Sequence, residues 1–181
     1  MINDLKEVLI NEEAIVKKVK EMGAQISKDY KDSNRKLLIV GILKGSVIFA
    51  SELIKNISRP CEIDFMALSS YGNSSETSGV VRILKDLDNS IEGNDIIIVE
   101  DIIDSGITLD YLLKYLKAKN ANSIEIATLL SKPARRKVDI NVKYLGFEVP
   151  DEFIVGYGLD YAEKYRNLPF IGILKEEVYK K

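Results

Sequence analysis

IIIVEDIIDSGITL, residues 96–109, is the stretch from which the architecture of this chain follows. An apolar run from Ile96 to Val99 meets two adjacent carboxylates, Glu100 and Asp101. A short polar turn follows, Asp104-Ser105-Gly106-Ile107-Thr108, and then an amphipathic segment. This order predicts a buried strand that delivers acids at its C-terminal end, a tight loop, and a helix. The first amides of a helix have no intrahelical partner and point one way. With the hydroxyls of Ser105 and Thr108 they form a cradle for a phosphate monoester. Gly106 lets the backbone approach such a ligand without a Cβ clash.

Outward from that motif, apolar runs and helical stripes alternate. Asn11 caps a helix whose Ile15, Val16, Val19, Met22 and Ile26 share one face. Strands are expected over 37–43, 62–69, 80–84, 96–101 and 123–130, with helices over 47–57 and 109–118. Shorter strands are expected over 142–147, 153–157 and 170–174. Residues 70–79, SYGNSSETSG, are too polar to pack a core. The alternation predicts an α/β fold with a mainly parallel sheet flanked by helices on both faces. Ligands bind such sheets at the carboxyl ends of the strands, so loops 43–46, 70–79, 101–108 and 131–137 should share one rim. With no repeat or internal boundary, residues 1–181 read as a single domain.

Composition excludes several classes of chemistry. The 181 residues are 46% hydrophobic and 30% charged, an ordinary globular balance. No apolar run approaches the roughly 20 residues that span a bilayer, and the first residues carry no secretory pattern. These features, and a lone Cys61 read as a strand residue in a reducing compartment, point to the cytoplasm. A net charge of −2 argues against a nucleic-acid partner. The chain has no histidine, which removes Ser-His-Asp triads, histidine metal sites and histidine acid–base work. Any metal must therefore be a hard cation on oxygen ligands, and Mg2+ on one or two carboxylates plus substrate phosphate is the natural candidate. The loop lacks the spacings GxxxxGK and GxGxxG, which disfavours triphosphate hydrolysis and dinucleotide binding. Adjacent strand residues face opposite ways, so Glu100 and Asp101 cannot serve as one bidentate clamp, but they can grip a ribose diol or a metal-bound diol from a shared edge.

VEDIIDSGIT resembles the signature of the type I phosphoribosyltransferases, which bind phosphoribosyl pyrophosphate (PRPP). GILKGS at 41–46, SSYG at 69–72, SKPARR at 131–136 and DEFIVGYGLDYAEKYRNLPFIG at 151–172 resemble the hypoxanthine-guanine phosphoribosyltransferases, in the right order and over nearly the whole chain. The resemblance implies a core sheet, a small hood from the N- and C-terminal segments, and a lid at 70–79 with Ser70 and Tyr71 its best-matched residues. It implies transfer of a 5-phosphoribosyl unit from PRPP to N9 of a 6-oxopurine, with Mg2+ as cofactor and purine salvage as the role.

Residue by residue, the resemblance assigns the 5′-phosphate to Asp104, Ser105, Gly106, Ile107 and Thr108, with Asp104 also the general base toward purine N7. Glu100 and Asp101 hold the Mg2+-linked ribose hydroxyls. Lys44, Gly45 and Arg166 meet pyrophosphate, and the Leu43–Lys44 peptide is a position where the family often carries a cis bond. Lys132 donates to the purine 6-oxo group, Phe153 stacks on the ring, and Ile154 meets the base edge through its backbone. Asp160 belongs with these purine-side residues and with a second Mg2+. Taken without the resemblance, Asp160 and Arg166 read as a surface ion pair, and Arg135, Arg136 and Lys137 as a solvated charge run. Assembly as a homodimer or homotetramer is implied by the resemblance alone. The motifs leave the preference among hypoxanthine, guanine and xanthine open. A regulator or a phosphate sensor on the same fold would keep the loop without the turnover.

Overall fold

The computed structural model describes residues 1–70 and 81–180. Tyr71 and the rest of the expected lid to residue 79 lie outside the described residues.

The central sheet has six strands in the order β4-β3-β2-β5-β6-β7. These are β2 (Leu37–Leu43), β3 (Glu62–Ser70), β4 (Val81–Lys85), β5 (Asp95–Ile103), β6 (Ser123–Ser131) and β7 (Tyr144–Glu148). All neighbours pair in parallel except the edge strand β4, which runs antiparallel to β3. The mainly parallel sheet is therefore as expected.

Alternation along the strands divides the core between two faces. Ile39, Ile97, Val99 and Leu129 meet α1 (Glu12–Asp29) and α2 (Val47–Lys55) through Ile15, Val19, Phe49 and Leu53. Leu38, Val40, Ile96, Ile98 and Ile126 meet α3 (Ile107–Lys117) through Leu109, Leu112 and Leu116. Burial on both faces explains why β2 and β5 read as continuous apolar runs. Asn11 caps α1 as expected, its side chain accepting from the Ala14 amide at 2.8 Å.

Three features depart from the sequence expectation. β5 continues past Asp101 to Ile103, because Ile102 and Ile103 still pair with Leu130 and Ser131 of β6. The two acids thus sit within the strand, and the loop proper begins at Asp104. α3 begins at Ile107, so Ile107 and Thr108 form its first turn. A strand β1 (Leu5–Ile10) and a short helix α4 (Glu176–Tyr179) carry no pattern that betrays them, since β1 exposes half of its residues without alternation. β1 pairs antiparallel with β9 (Ile171–Leu174), which also pairs with β8 (Ile154–Val155), and this three-stranded sheet is the hood.

At the strand starts, far from the rim, Asp95 is only 3% exposed. Its carboxylate accepts hydrogen bonds of 2.7 Å from Ser33, Asn122 and Ser123. Burial pushes the carboxyl up, but these three donors outweigh it and hold it below the ordinary value of 3.8. The stabilisation it contributes is therefore present above that value and is lost as pH falls through the depressed one. Asp95→Ala is expected to cost about 2–3 kcal/mol and to flatten the loss of stability in acid. Urea melts at pH 7 and pH 3 measure both, and an unchanged midpoint at pH 7 would refute the assignment.

Candidate functional site

The chain leaves β2 for β3 on one side and later inserts β5 on the other, so the carboxyl ends of β2 and β5 flank a topological switch point. Every residue proposed for ligand contact within 43–45, 100–108 and 132 lies at this end of the sheet.

At the end of β5 a cavity of about 210 Å3 is lined by Glu100, Asp104, Ser105, Gly106 and Thr108. Gly106 has φ +83, the left-handed region that favours glycine, and it sits at the N-cap of α3 with no side-chain cap. The first-turn amides of α3 thus face the cavity without a capping carboxylate or hydroxyl of strong geometry, the Ser105 hydroxyl being 3.4 Å from the Ile107 amide. The loop is held from outside by its own chain. The amides of Lys137 and Val138 donate to the Ser105 carbonyl at 2.9 and 3.3 Å.

Glu100 lines this cavity, while Asp101 lies against Gly45, confirming that the two acids face opposite sides of the strand. Burial, then the charge of Asp101, pushes the Glu100 carboxyl well up. Burial also pushes Asp101 up to about 6, with Asp160 adding repulsion against the pull of nearby amides and Arg166. The fold therefore holds protons here that the unfolded chain releases. The stability this contributes is full below 3.8 and is lost as pH rises through about 6. Asp101→Asn is expected to raise the melting temperature of the ligand-free protein at pH 7 but not at pH 4. A rise of equal size at both values would contradict the burial argument.

No group of three acidic or cysteine side chains among the described residues forms a metal cage. The donors present, two buried carboxylates facing opposite ways, suit a cation that brings oxygen ligands on its substrate.

The 43–45 loop closes the other side. The Leu43–Lys44 peptide is cis. Gly45 packs so tightly on Asp101 that a Cβ would lie 1.6 Å from Oδ2, and a Cβ on Gly158 would lie 2.0 Å from the Gly45 carbonyl. The segment around 158 is unusual in its backbone, since Tyr157, Ala162, Glu163 and Tyr165 all have positive φ. It is tied together by Arg166, which donates to the Gly158 carbonyl at 2.8 Å and pairs with Asp160 at 2.8 Å. Lys44 pairs with Glu163 at 3.2 Å and joins the two loops. Asp160 and Arg166 are thus an ion pair, as the sequence suggests, and they are also drawn to the rim.

A second cavity of about 430 Å3 lies between the sheet and the hood, lined by Ile102, Asp104, Lys132, Arg135, Phe153, Ile154 and Asp160 among others. Lys132 is 7% exposed and its Nζ donates to the Glu152 carbonyl at 2.8 Å. Burial depresses its pKa, against the raising effect of Asp104. Phe153 precedes β8 rather than lying in it, and its ring stacks on Tyr179 at 4.7 Å and meets Tyr161 edge-on at 5.3 Å. Asp104 lines both cavities and so stands between them. Ser70 ends β3, on the same side of the sheet.

Sequence reasoning missed two contributors. Tyr179 comes from a four-residue helix with no periodicity to detect. Arg135 was hidden in a basic run, yet it pairs with Asp104 at 3.4 Å and with Asp151. The three consecutive charges 135–137 carried no signal to separate it from its neighbours.

Comparisons with known proteins bear on the whole chain. The family model described as "Phosphoribosyl transferase domain" matches residues 6–162. A hypoxanthine-guanine phosphoribosyltransferase of Bacillus subtilis is 57% identical over 179 residues, covering 99% of this chain and 98% of its own. One of Staphylococcus epidermidis is 58% identical over 181 residues, covering 100% of both. A crystal structure of a hypoxanthine phosphoribosyltransferase from Staphylococcus aureus matches with a TM-score of 0.96 at 55% identity, over 100% of this chain and 97% of that one.

Proposed function

Because the chain belongs to the phosphoribosyltransferase family, among its hypoxanthine-guanine members, we propose a division of its residues between the two cavities that Asp104 separates. The enzyme salvages purines, transferring the 5-phosphoribosyl group of PRPP to N9 of hypoxanthine or guanine and releasing pyrophosphate.

In this reading the loop Asp104 to Thr108 takes the 5′-phosphate, with Ser105 and Thr108 hydroxyls and the first-turn amides of α3 as donors. Glu100 and Asp101 take the ribose diol. Lys44, Gly45 and Arg166 face pyrophosphate. Lys132, Phe153, Ile154 and Asp160 surround the purine, and Ser70 and Tyr71 belong to the lid. Mg2+ is the proposed cofactor, with Glu100, Asp101 and Asp160 the carboxylates near it; when bound it neutralises charge that grows on the leaving pyrophosphate. The bond from C1 of ribose to pyrophosphate breaks and its electron pair leaves with pyrophosphate. Purine N9 forms the new bond to C1, and the proton on N7 passes to Asp104. Holding both reactants in line on one rigid rim supplies much of the acceleration.

The observation that carries the purine assignment is Lys132, a buried ammonium at the floor of the larger cavity. It offers donors only, so a 6-oxo group pairs with it and a 6-amino group does not. Incubation with PRPP, Mg2+ and each of hypoxanthine, guanine, xanthine and adenine tests this. Nucleotide and pyrophosphate are expected from the first two, and turnover of adenine at a similar rate would overturn it. Lys132→Ala is expected to raise the purine KM about 10- to 100-fold while PRPP binding stays within twofold. An unchanged purine KM would remove Lys132 from the base site.

We also read residues 1–181 as one domain, since Ile154, Leu159 and Ile171 belong to the same core cluster as Ile39 and Phe49. No described helix is long and apolar enough to cross a membrane, and we propose a cytoplasmic enzyme. A homodimer or homotetramer is the proposed assembly, to be measured by light scattering, and no nucleic-acid partner is proposed for a chain of net charge −2.

A further inference from the structure

A carboxylate that accepts a proton must be held in one position before the base arrives. Asp104 stands at the C-terminal end of β5, one residue beyond the paired Ile103, so the sheet fixes its backbone. Its side chain is less constrained. One oxygen, Oδ1, is buried with no hydrogen-bond partner among the described residues. The other, Oδ2, is reached by Arg135 Nη1 at 3.4 Å. Among the described residues no other cationic side chain pairs with Asp104. Lys132 shares the cavity, but its Nζ donates to the Glu152 carbonyl and forms no ion pair with Asp104.

Arg135 is itself anchored. Its Nε pairs with Asp151, which lines the same cavity from the hood side. One planar guanidinium thus bridges two carboxylates from two edges, a geometry that a lysine ammonium does not reproduce. The segment that carries it is fixed at both ends, by the Lys132 amide on the Ile103 carbonyl at 2.9 Å and by the Lys137 amide on the Ser105 carbonyl at 2.9 Å.

We infer that Arg135, anchored on Asp151, is a positioning residue that fixes the Asp104 carboxylate for proton transfer from the purine. The inference rests on Asp104 as the proton acceptor. In the open cavity the bridge is half exposed and weakly stabilising, because water screens it. A bound purine excludes that water, and the same bridge then acts at low dielectric on the oxygen pair that takes the proton. Its effect belongs to turnover and not to folding.

The test is a double-mutant cycle in single-turnover kinetics with hypoxanthine and PRPP. Arg135→Gln is expected to lower the rate of the chemical step about tenfold, with PRPP affinity within twofold and an unchanged melting temperature. Arg135→Lys is expected to fall between that variant and the parent. In an Asp104→Asn background, Arg135→Gln is expected to change the rate less than twofold, since the group it positions no longer accepts a proton. A loss of similar size in both backgrounds would mean that Arg135 acts elsewhere and would overturn the inference, as would no loss in the parent. If Asp104→Asn itself leaves the rate intact, the proton-acceptor reading fails first, and this inference with it.

Discussion

Gly45→Ala is expected to lower kcat/KM for PRPP by about 100-fold while leaving the protein folded. The reason is contact, not flexibility. The Cα of Gly45 rests on the Asp101 carboxylate, and a methyl group there would lie 1.6 Å from Oδ2 and 2.5 Å from the carboxyl carbon. Asp101 cannot swing aside freely, since its Oδ1 accepts from the Ile102 amide at 2.7 Å. The loop cannot lift either, because the Gly45 carbonyl sits beneath Gly158, itself at φ +105. Something must shift by about an ångström, and the groups available to shift are those assigned to ribose and pyrophosphate. A displacement of that size at a reacting centre costs about two orders of magnitude. Gly93→Ala is the contrast. Gly93 also has positive φ, +72, but its Cβ would meet only Arg35, at 3.9 Å. That variant should lose about 1 kcal/mol of stability from backbone strain and keep its activity. Steady-state kinetics with a PRPP titration separates the two. A Gly45→Ala enzyme that binds PRPP within twofold of the parent would show that the packing is not what sets the site.

The contrast between these glycines marks where sequence stops being informative. The strand, turn and helix of 95–117 were legible because each residue there is chosen by local physics: apolar where both faces are buried, glycine where φ is positive, hydroxyls at a helix start. The phosphate cradle is built almost wholly from one contiguous segment, so its pattern is written in order. The hood was not legible from pattern. LKEVLI becomes a strand only because β9 lies beside it, and its exposure profile has no period of two. The contact of Gly45 with Asp101 spans three strands of chain and leaves no local trace. The left-handed backbone at Tyr157, Ala162, Glu163 and Tyr165 contradicts the residue types, so propensity alone reads that segment wrongly. It was recovered only through its resemblance to a known motif. Arg135 shows the same limit in charge: three basic residues in a row look alike until Asp104 and Asp151, distant in sequence, select one of them.

Asp104→Asn should lower kcat by about 10^2- to 10^4-fold and leave the PRPP KM nearly unchanged. Asparagine has the shape of aspartate and still accepts hydrogen bonds, but it does not take up a proton at neutral pH. The substitution therefore removes one function from a residue that lines both cavities. The chain narrows the alternatives by its composition, for it has no histidine to act instead. Glu100 and Asp101 are poor substitutes. Neither lines the cavity that holds Lys132 and Phe153, and Asp101 lies on the far side of the strand against Gly45. Lys132 carries the wrong charge for a proton acceptor while its ammonium donates to the Glu152 carbonyl. Among the described residues, Asp104 alone combines a carboxylate oxygen without a hydrogen-bond partner with a place at the boundary between the phosphate cradle and the base cavity. If it served only to bind phosphate, the loss would instead appear in PRPP affinity, since the asparagine amide would alter the cradle without touching the purine. Kinetics across a PRPP titration distinguishes the two, since it reads kcat and the PRPP KM separately. A fall in kcat matched by an equal rise in PRPP KM would make Asp104 a phosphate ligand and remove it as the proton acceptor.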